Sequence, residues 1–397
     1  LAELLQPAIE RAENGYLVHP RVALDWANDS DRLAGSPAAR AVFMTDGRMP
    51  KAGDRHHQPA LARTLTRIAR DGRAAFYEGP VAAEIVSVLQ GLGGLHTEQD
   101  FAGQRGEYVE PIRTNYRGYD VYECPPNGQG LAALMILNVL SGYEMSGGKL
   151  RVADRIHLLA EATKQVYAVR DACFADPRQA DIPVGEFLSE AHAARTRAAI
   201  RIDKAAVGVS LGETPHKDTV YLCVVDRDGN AISFINSLFD HFGSAILAPG
   251  CGVMLHNRGL SFRLDPAHPN CIAPGKRPMH TIIPGMLVKD GKAVMPFGVM
   301  GGHYQAVGHA HLLHNMLDRG RDPQEALDAP RSFAHDGALT LEVNHAPEIF
   351  TDLLRRGHRV EWAASPLGGG QAIWIDHQRG LLVGGSDPRK DGCALGW

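Results

Sequence analysis

Thr219 stands at a sharp change in the chain's texture. The polar stretch ending in Lys217-Asp218 gives way to Val220-Tyr221-Leu222-Cys223-Val224-Val225, a run rich in β-formers. Cleavage of the Asp218–Thr219 bond would leave a free α-amine beside the Thr219 hydroxyl, so that nucleophile and general base belong to one residue. The run closes on Asp226-Arg227-Asp228-Gly229-Asn230, and alternation resumes from Ala231 to Ser237. Asp-Gly between two such runs predicts a hairpin. On this segment alone, a threonine placed at a strand's first position as a good β-former is the plainer reading and competes with catalysis.

Motifs elsewhere in the chain bear on that choice. The segment DTVYLCVVDRDGNAISFINS resembles the start of the small subunit in the γ-glutamyltranspeptidase family of N-terminal-nucleophile hydrolases. PGKRPMHTIIPGMLVKDGK resembles the family's substrate-binding segment, MGGHYQAVGHAHLLHNML its glycine pair and following helix, and GGSDPRKDG its C-terminal signature. Upstream, LLQPAIERAENGYLVHPRVA, AAFYEGPVAAEIV and PPNGQGLAALMILNVLSGY resemble large-subunit segments, so the similarity runs over essentially the whole chain. Several short motifs in one order carry far more weight than any one of them.

The resemblance implies an α+β fold, the αββα four-layer sandwich. It also implies self-processing between Asp218 and Thr219 into a mainly helical large-subunit portion, residues 1–218, and a β-rich small subunit, residues 219–397. Thr219 falls on the nucleophile, Gly301 and Gly302 on the pair whose backbone N–H groups form the oxyanion hole, and Ser237 on a second hydroxyl near the nucleophile. Two small residues before a helix suit that task, because backbone donors can approach an oxyanion closely where the helix N-terminus is positive. The implied partners are a small-molecule amide such as a γ-glutamyl, glutathione-like compound, water or an amino acid or dipeptide acceptor, and the two subunits of one precursor. No cofactor and no metal is implied, and homo-oligomerisation is left open.

The pocket departs from the family pattern. Where transpeptidases carry an Asn, an Asp and a Ser-Ser pair around the glutamyl head group, this sequence has Phe239, Ser261 and His280-Thr281. Losing the carboxylate that faces a cationic amine forfeits a charge-assisted hydrogen bond. This mixture resembles the acylase members of the family, including cephalosporin acylases, and implies hydrolysis over transpeptidation with glutaryl-type amides accepted. The connection from Phe262 to Arg277 is compact and leaves little chain for a lid. A non-catalytic relative is the contrasting reading. The first residues already form a helical pattern (Leu1, Leu4, Leu5, Ala8, Ile9) with no cap before them, so the large-subunit portion reads as N-terminally incomplete. The Arg that the family's further N-terminal segment supplies for the substrate carboxylate is not assignable here.

Composition narrows the partners. A net charge of −4 from near-balanced pools, without long basic or acidic runs, argues against nucleic acid and for a small molecule. The six cysteines include no Cys-x-x-Cys pair and read as free, mostly buried thiols. The longest apolar stretch, residues 130–140, is too short for a membrane span and reads as a buried helix. A soluble protein of bacterial type, cytoplasmic or periplasmic, is expected, with no membrane partner.

Residues before about 210 predict amphipathic helices after Pro59 and Pro80 and a long one through Ile156, Leu159, Thr163 and Tyr167, with one hairpin turning at Arg117-Gly118. From Thr219 onward strands are expected at 219–225, 231–238, 252–256, 281–288, 293–299, 372–375 and 381–384, with helices at 303–318 and 347–356. Residues 208–217 read as an exposed tail leading to the processing bond. His309, His311 and His314 raise a metallohydrolase as the rival chemistry, yet His309 and His311 do not share a helix face and no His-Glu-x-x-His occurs. His280 and His303 divide between substrate contact and packing. The glycine groups at 301–302, 368–370 and 384–385 match no phosphate-binding spacing.

Overall fold

The computed structural model describes residues 1–206 and 219–397. The chain forms two compact units, Leu1–Tyr108 with Asp240–Asn257, and Val109–Phe239 with Arg258–Trp397. In the first unit the expected helices appear as Pro59–Asp71 and Pro80–Gly91, each led by proline where the missing N–H costs nothing. Leu33, Ala39, Phe43 and Leu247 form one apolar cluster there, and Val81, Ile85, Ala248 and Cys251 another. The strand expected at 252–256 shrinks to Val253–Met254, paired with Leu247–Ala248. Gly252 explains the shortening: it turns at φ +71 with the Leu61 backbone so close that a Cβ would lie 2.5 Å from it.

The second unit is built on a six-stranded antiparallel sheet. Its strands are β1 (Ile112–Tyr116), β2 (Tyr119–Glu123), β5 (Gly285–Lys289), β6 (Lys292–Met300), β7 (Gly369–Asp376) and β8 (Leu381–Ser386), while β3 (Val220–Val225) and β4 (Ala231–Asn236) form a separate hairpin. The sheet order is β8-β7-β6-β5-β2-β1. Two of its turns have positive φ at both central residues, Arg117-Gly118 at 55° and 83° and Asp290-Gly291 at 50° and 74°. That geometry matches the twist of paired strands. β5 begins later than expected because Pro284 has no N–H to give a ladder.

Two helices pack on this sheet, α1 (Gly130–Ser141) against β1 and β2 and α3 (Tyr304–Leu317) against β6, and α2 (Val152–Cys173) packs on both helices. Every residue from Gly130 to Leu140 is buried, as expected of a helix that is apolar all round. Leu131, Leu134, Leu137, Phe297, Val299, Leu313 and their neighbours make one continuous core between helices and sheet. No helix among the described residues is long and apolar enough to cross a membrane. A three-stranded sheet, Ser332–His335, Ala338–Leu341 and Val360–Trp362, was not legible, since its strands are three or four residues long and show no alternation.

The β3–β4 hairpin lies against β6 and β7. Its inner face carries Tyr221, Ser233 and Ile235, with Ser233 Oγ donating to Phe297 O at 3.2 Å and a 2.8 Å bond joining the Tyr221 and Ser233 hydroxyls. Its outer face leaves Val220, Leu222, Val224, Ile232 and Phe234 exposed. All six cysteines are free, but only Cys251 is buried; Cys393 is exposed and the other four lie between. The expectation of mostly buried thiols is corrected. Cys124 and Cys173 sit at the ends of β2 and α2 and Cys271 lies in a loop, places where burial is partial.

The hairpin's docking depends on Gly298. A Cβ there would meet the Tyr221 ring at 2.3 Å. Gly298→Ala should therefore destabilise the protein by ~1–3 kcal/mol through overpacking, read as a lower midpoint of urea unfolding. An unchanged midpoint would show that the hairpin adjusts freely.

Candidate active site

Thr219 is buried, one residue before β3. Val220 pairs with Asn236, so the antiparallel register carries Thr219 to the level of Ser237 on the inner face of the hairpin. Asp218 and the 208–217 segment lie outside the described residues. The Thr219 hydroxyl accepts a 3.3 Å hydrogen bond from Nε2 of Gln305, a fully buried side chain in the first turn of α3. The amide's orientation is forced, because Ile283 N–H donates to Gln305 Oε1 at 3.2 Å. Gln305 thus anchors the Thr219 oxygen and leaves the hydroxyl proton to point elsewhere.

Gly301 and Gly302 turn the chain from β6 into α3 at φ +119 and +59. At Gly301 a Cβ would lie 2.9 Å from Gly368 Cα, so the close approach itself requires glycine. The first amides of the helix are spent locally: Tyr304 N donates to Gly301 O at 3.1 Å and Gln305 N to Gly302 O at 3.2 Å. Gln305 therefore touches both the Thr219 hydroxyl and the glycine pair.

A second buried amide fixes the opposite side. Gln129 Nε2 donates to Thr281 O at 3.0 Å and to Gly302 O at 2.9 Å. Its Oε1 accepts from Arg170 Nη1 at 3.0 Å, and its backbone N donates to His280 O at 3.1 Å. Thr281 is buried and His280 half-buried. Burial, with Arg258 and Arg277 nearby, pushes the His280 imidazole down to about 4, so it is neutral near pH 7.

The other expected pocket residues cluster around Arg258. Ser237 Oγ accepts from Arg258 Nη2 at 2.8 Å and from Phe239 N at 3.3 Å. Phe239 is buried at φ +86, its ring centroid 5.9 Å from the guanidinium carbon. Ser261 ends the short 3-10 turn Arg258–Ser261, and its carbonyl accepts from Asn270 Nδ2 at 2.7 Å. Asn270 Oδ1 accepts in turn from Met279 N at 3.1 Å, next to His280.

The metallohydrolase histidines have other work. Val299 N–H donates to His309 Nε2 at 3.3 Å, so Nδ1 carries the proton that His309 gives to Glu123 Oε1 at 2.5 Å. Burial raises the Glu123 carboxyl, and His309 opposes that rise. His311 bonds Asn315 and His314 bonds Asp318. Among the described residues, metal-like spacing occurs elsewhere, at His157, Glu161 and His358. That cluster already contains a cation: Lys164 Nζ donates to Glu161 Oε1 at 2.7 Å and to His358 Nδ1 at 3.4 Å. His358 Nε2 donates to His157 Nδ1, and His157 Nε2 donates to Arg201 O, both at 2.7 Å. The cluster fastens residues 201–206, since Glu161 also accepts from Ala206 N at 2.9 Å.

Sequence reasoning missed Gln129, Gln305 and Arg258 as site residues. The first two lie inside the quoted motifs, and a glutamine within an otherwise apolar helical pattern is itself a signal of a buried polar role. Gln305→Leu leaves Ile283 N–H without its acceptor and Thr219 without its anchor. It should lower unfolding free energy by ~1–3 kcal/mol in urea titration. Equal stability would show that the amide is not held in this way.

Comparison with known proteins agrees with the geometry. The profile of the family described as gamma-glutamyltranspeptidase matches residues 1–397. The glutathione hydrolase-like YwrD proenzyme of Bacillus subtilis is 38% identical over the whole chain, which covers 76% of that protein. The oxamate amidohydrolase proenzyme of Klebsiella pneumoniae is 34% identical with the same coverages, 100% and 76%. The crystal structure of a cephalosporin acylase from Bacillus halodurans superposes with a TM-score of 0.91 at 37% identity, covering 100% of this chain and 76% of that one. A hairpin with a buried threonine at its head, a left-handed glycine pair before α3 and this similarity over the full length have one common reading: the chain belongs to the γ-glutamyltranspeptidase family, whose members matched here are hydrolases.

Proposed function

We propose that this protein is a self-processing amide hydrolase that works through a threonyl acyl-enzyme. In the precursor the Thr219 hydroxyl attacks the Asp218 carbonyl, the peptide nitrogen leaves as the Thr219 α-amine, and water hydrolyses the resulting ester. The products are a large portion, residues 1–218, and a small subunit, residues 219–397. In the mature enzyme Thr219 Oγ attacks the substrate amide while its α-amine takes the proton and returns it to the leaving amine. The Gly301 and Gly302 N–H groups stabilise the oxyanion, and water releases the acid. Ser237 supports the nucleophile from the facing strand, and Phe239, Ser261, His280 and Thr281 line the acyl pocket.

The observation that carries this reading is the Gln305 bridge. One buried amide grips the Thr219 oxygen while its own backbone holds the glycine pair. The substrates are γ-glutamyl or related acyl amides. The matched relatives carry the names of a glutathione hydrolase-like protein, an amidohydrolase and an acylase, which supports hydrolysis of amides as the common chemistry. With Phe239 and Ser261 where an amine-binding Asn and Asp are usual, the acylase side of that range is favoured, and water is preferred over an amino acid acceptor. The same reading takes the fold to be the four-layer αββα sandwich; the exposed apolar outer face of the β3–β4 hairpin is the kind of surface a further layer covers.

Thr219→Ala should run as one uncut band on a denaturing gel, whereas the wild-type protein gives two. Two bands from the variant would refute the assignment. Gly302→Ala forces a side chain into the left-handed region and shifts one oxyanion donor. Turnover of the processed enzyme should drop by roughly 10²–10³, as expected for loss of a single donor. Near-normal turnover would place the donors elsewhere.

A further inference from the structure

Gly301 and Gly302 carry no side chains to hold their peptide planes, and a glycine's backbone angles change at little cost. Their N–H groups are therefore aimed by whatever grips the adjoining carbonyls, since the C=O and N–H of one trans peptide point to opposite sides of a single plane. Gly301 O accepts from Tyr304 N at 3.1 Å, which fixes the plane that carries the Gly302 N–H. Gly302 O accepts from Gln305 N at 3.2 Å and, more closely, from Gln129 Nε2 at 2.9 Å. The next carbonyl, His303 O, accepts from the Tyr167 hydroxyl. Two of these three carbonyls are thus held by side chains from outside the turn.

Helix α2 stands behind both side chains. Tyr167 and Arg170 lie three residues apart on it, so they share a face, and the Arg170 guanidinium carbon sits 3.8 Å from the Tyr167 ring centroid. Arg170 Nη1 donates to Gln129 Oε1 at 3.0 Å, and Arg170 Nε is held by Asp171 Oδ1 at 2.7 Å. Gln129 is fully buried and Arg170 only 3% exposed. Both are sealed from solvent, and they reach the reaction only through the backbone they hold.

We propose that Gln129, backed by Arg170, is a positioning residue that sets the strength of the oxyanion hole by acting on Gly302 O. This inference rests on the reading of Thr219 as the nucleophile and of the glycine pair as its oxyanion donors. Preorganised donors stabilise an oxyanion only while they point at it. Without the Gln129 amide, Gly302 O keeps the longer bond from Gln305 N alone, and the 302–303 plane can rotate and pull the Gly302 N–H off its line. The same carboxamide holds Thr281 O at 3.0 Å, so one rigid group spaces the proposed acyl pocket from the glycine turn.

The test compares processed wild-type protein with Gln129→Leu, Arg170→Met and Arg170→Lys. Turnover is measured on γ-glutamyl or glutaryl p-nitroanilide, whichever the wild type cleaves faster. Inhibition is measured with the boronic acid of the same acyl chain, 2-amino-4-boronobutanoic or 4-boronobutanoic acid, and with the product acid. On the boronic acid an O–B bond forms to Thr219 Oγ, the hydroxyl proton passes to the α-amine, and a tetrahedral anion results; the product acid stays planar. In Gln129→Leu and Arg170→Met, kcat should fall about 10- to 100-fold with KM within about threefold, the pattern of an interaction made in the transition state. Boronic acid affinity should fall in parallel while product acid affinity holds, and Arg170→Lys should recover part of both losses. An unchanged kcat, or equal losses of affinity for boronic and product acids, would overturn the proposal, since a merely loosened fold weakens both ligands alike. Should Gln129→Leu fail to fold, the two Arg170 variants decide: equal kcat in both overturns it, and partial rescue by lysine supports it. A wild-type protein that neither cleaves itself nor turns over either anilide overturns the nucleophile reading itself, and this proposal with it.

Discussion

The carboxamide of Gln129 has no freedom in this fold, and the site takes its shape from that constraint. Arg170 can only donate, so it claims Oε1; Thr281 O and Gly302 O can only accept, so they claim Nε2. Three segments far apart in sequence, the start of α1, the strand approach at 280–281 and the glycine turn, are thereby held by one buried side chain. Leaving any of those carbonyls or N–H groups unpaired in so dry a place would cost roughly 1–3 kcal/mol each. Gln305 repeats the device beside Thr219, with Ile283 N–H setting its orientation and Thr219 receiving its donor. Preorganisation here means fixed amides whose partners were satisfied when the chain folded.

The framework behind these amides is equally determined. β6 ends at a turn that only glycine can make, and it approaches Gly368 too closely for a Cβ. The Glu123 and His309 pair ties β2 to α3 and, through Val299 N, to the end of strand β6 before the glycines. Neither histidine nor carboxylate meets solvent, so the pair stiffens the strand end. Elsewhere in the unit the Lys164, Glu161, His157 and His358 network fastens residues 201–206 to α2. Both clusters look like sites when read as residue types. Their hydrogen bonds make them fastenings.

In the reading proposed above, machinery and specificity separate: the reaction falls to Thr219, the glycine pair and the amides that hold them, while Phe239, Ser261 and His280-Thr281 replace the amine-binding polar set of the family's transpeptidases. Such an exchange leaves bond cleavage intact in principle while changing which acyl groups gain binding energy. The family relationship alone therefore says more about the reaction than about its substrate.

The sequence by itself determined the β-rich turn into Thr219, the proline-led helices, the buried helix from Gly130 and the glycine pair ahead of α3, because each rests on local periodicity or on a backbone conformation that few residues can adopt. It also marked Ser237, Phe239, Ser261, His280 and Thr281 as belonging together, through motif order. It could not show that His309 serves Glu123 and Val299, nor that the only metal-like spacing among the described residues joins α2 to His358, two hundred residues away. The three-stranded sheet near Phe333 stayed hidden because its strands are too short to carry a period. Gln129, Gln305 and Arg258 acquired their roles from tertiary structure alone. A polar side chain's partner is chosen by which backbone groups the packed core leaves beside it, and those groups come from segments that sequence proximity does not connect.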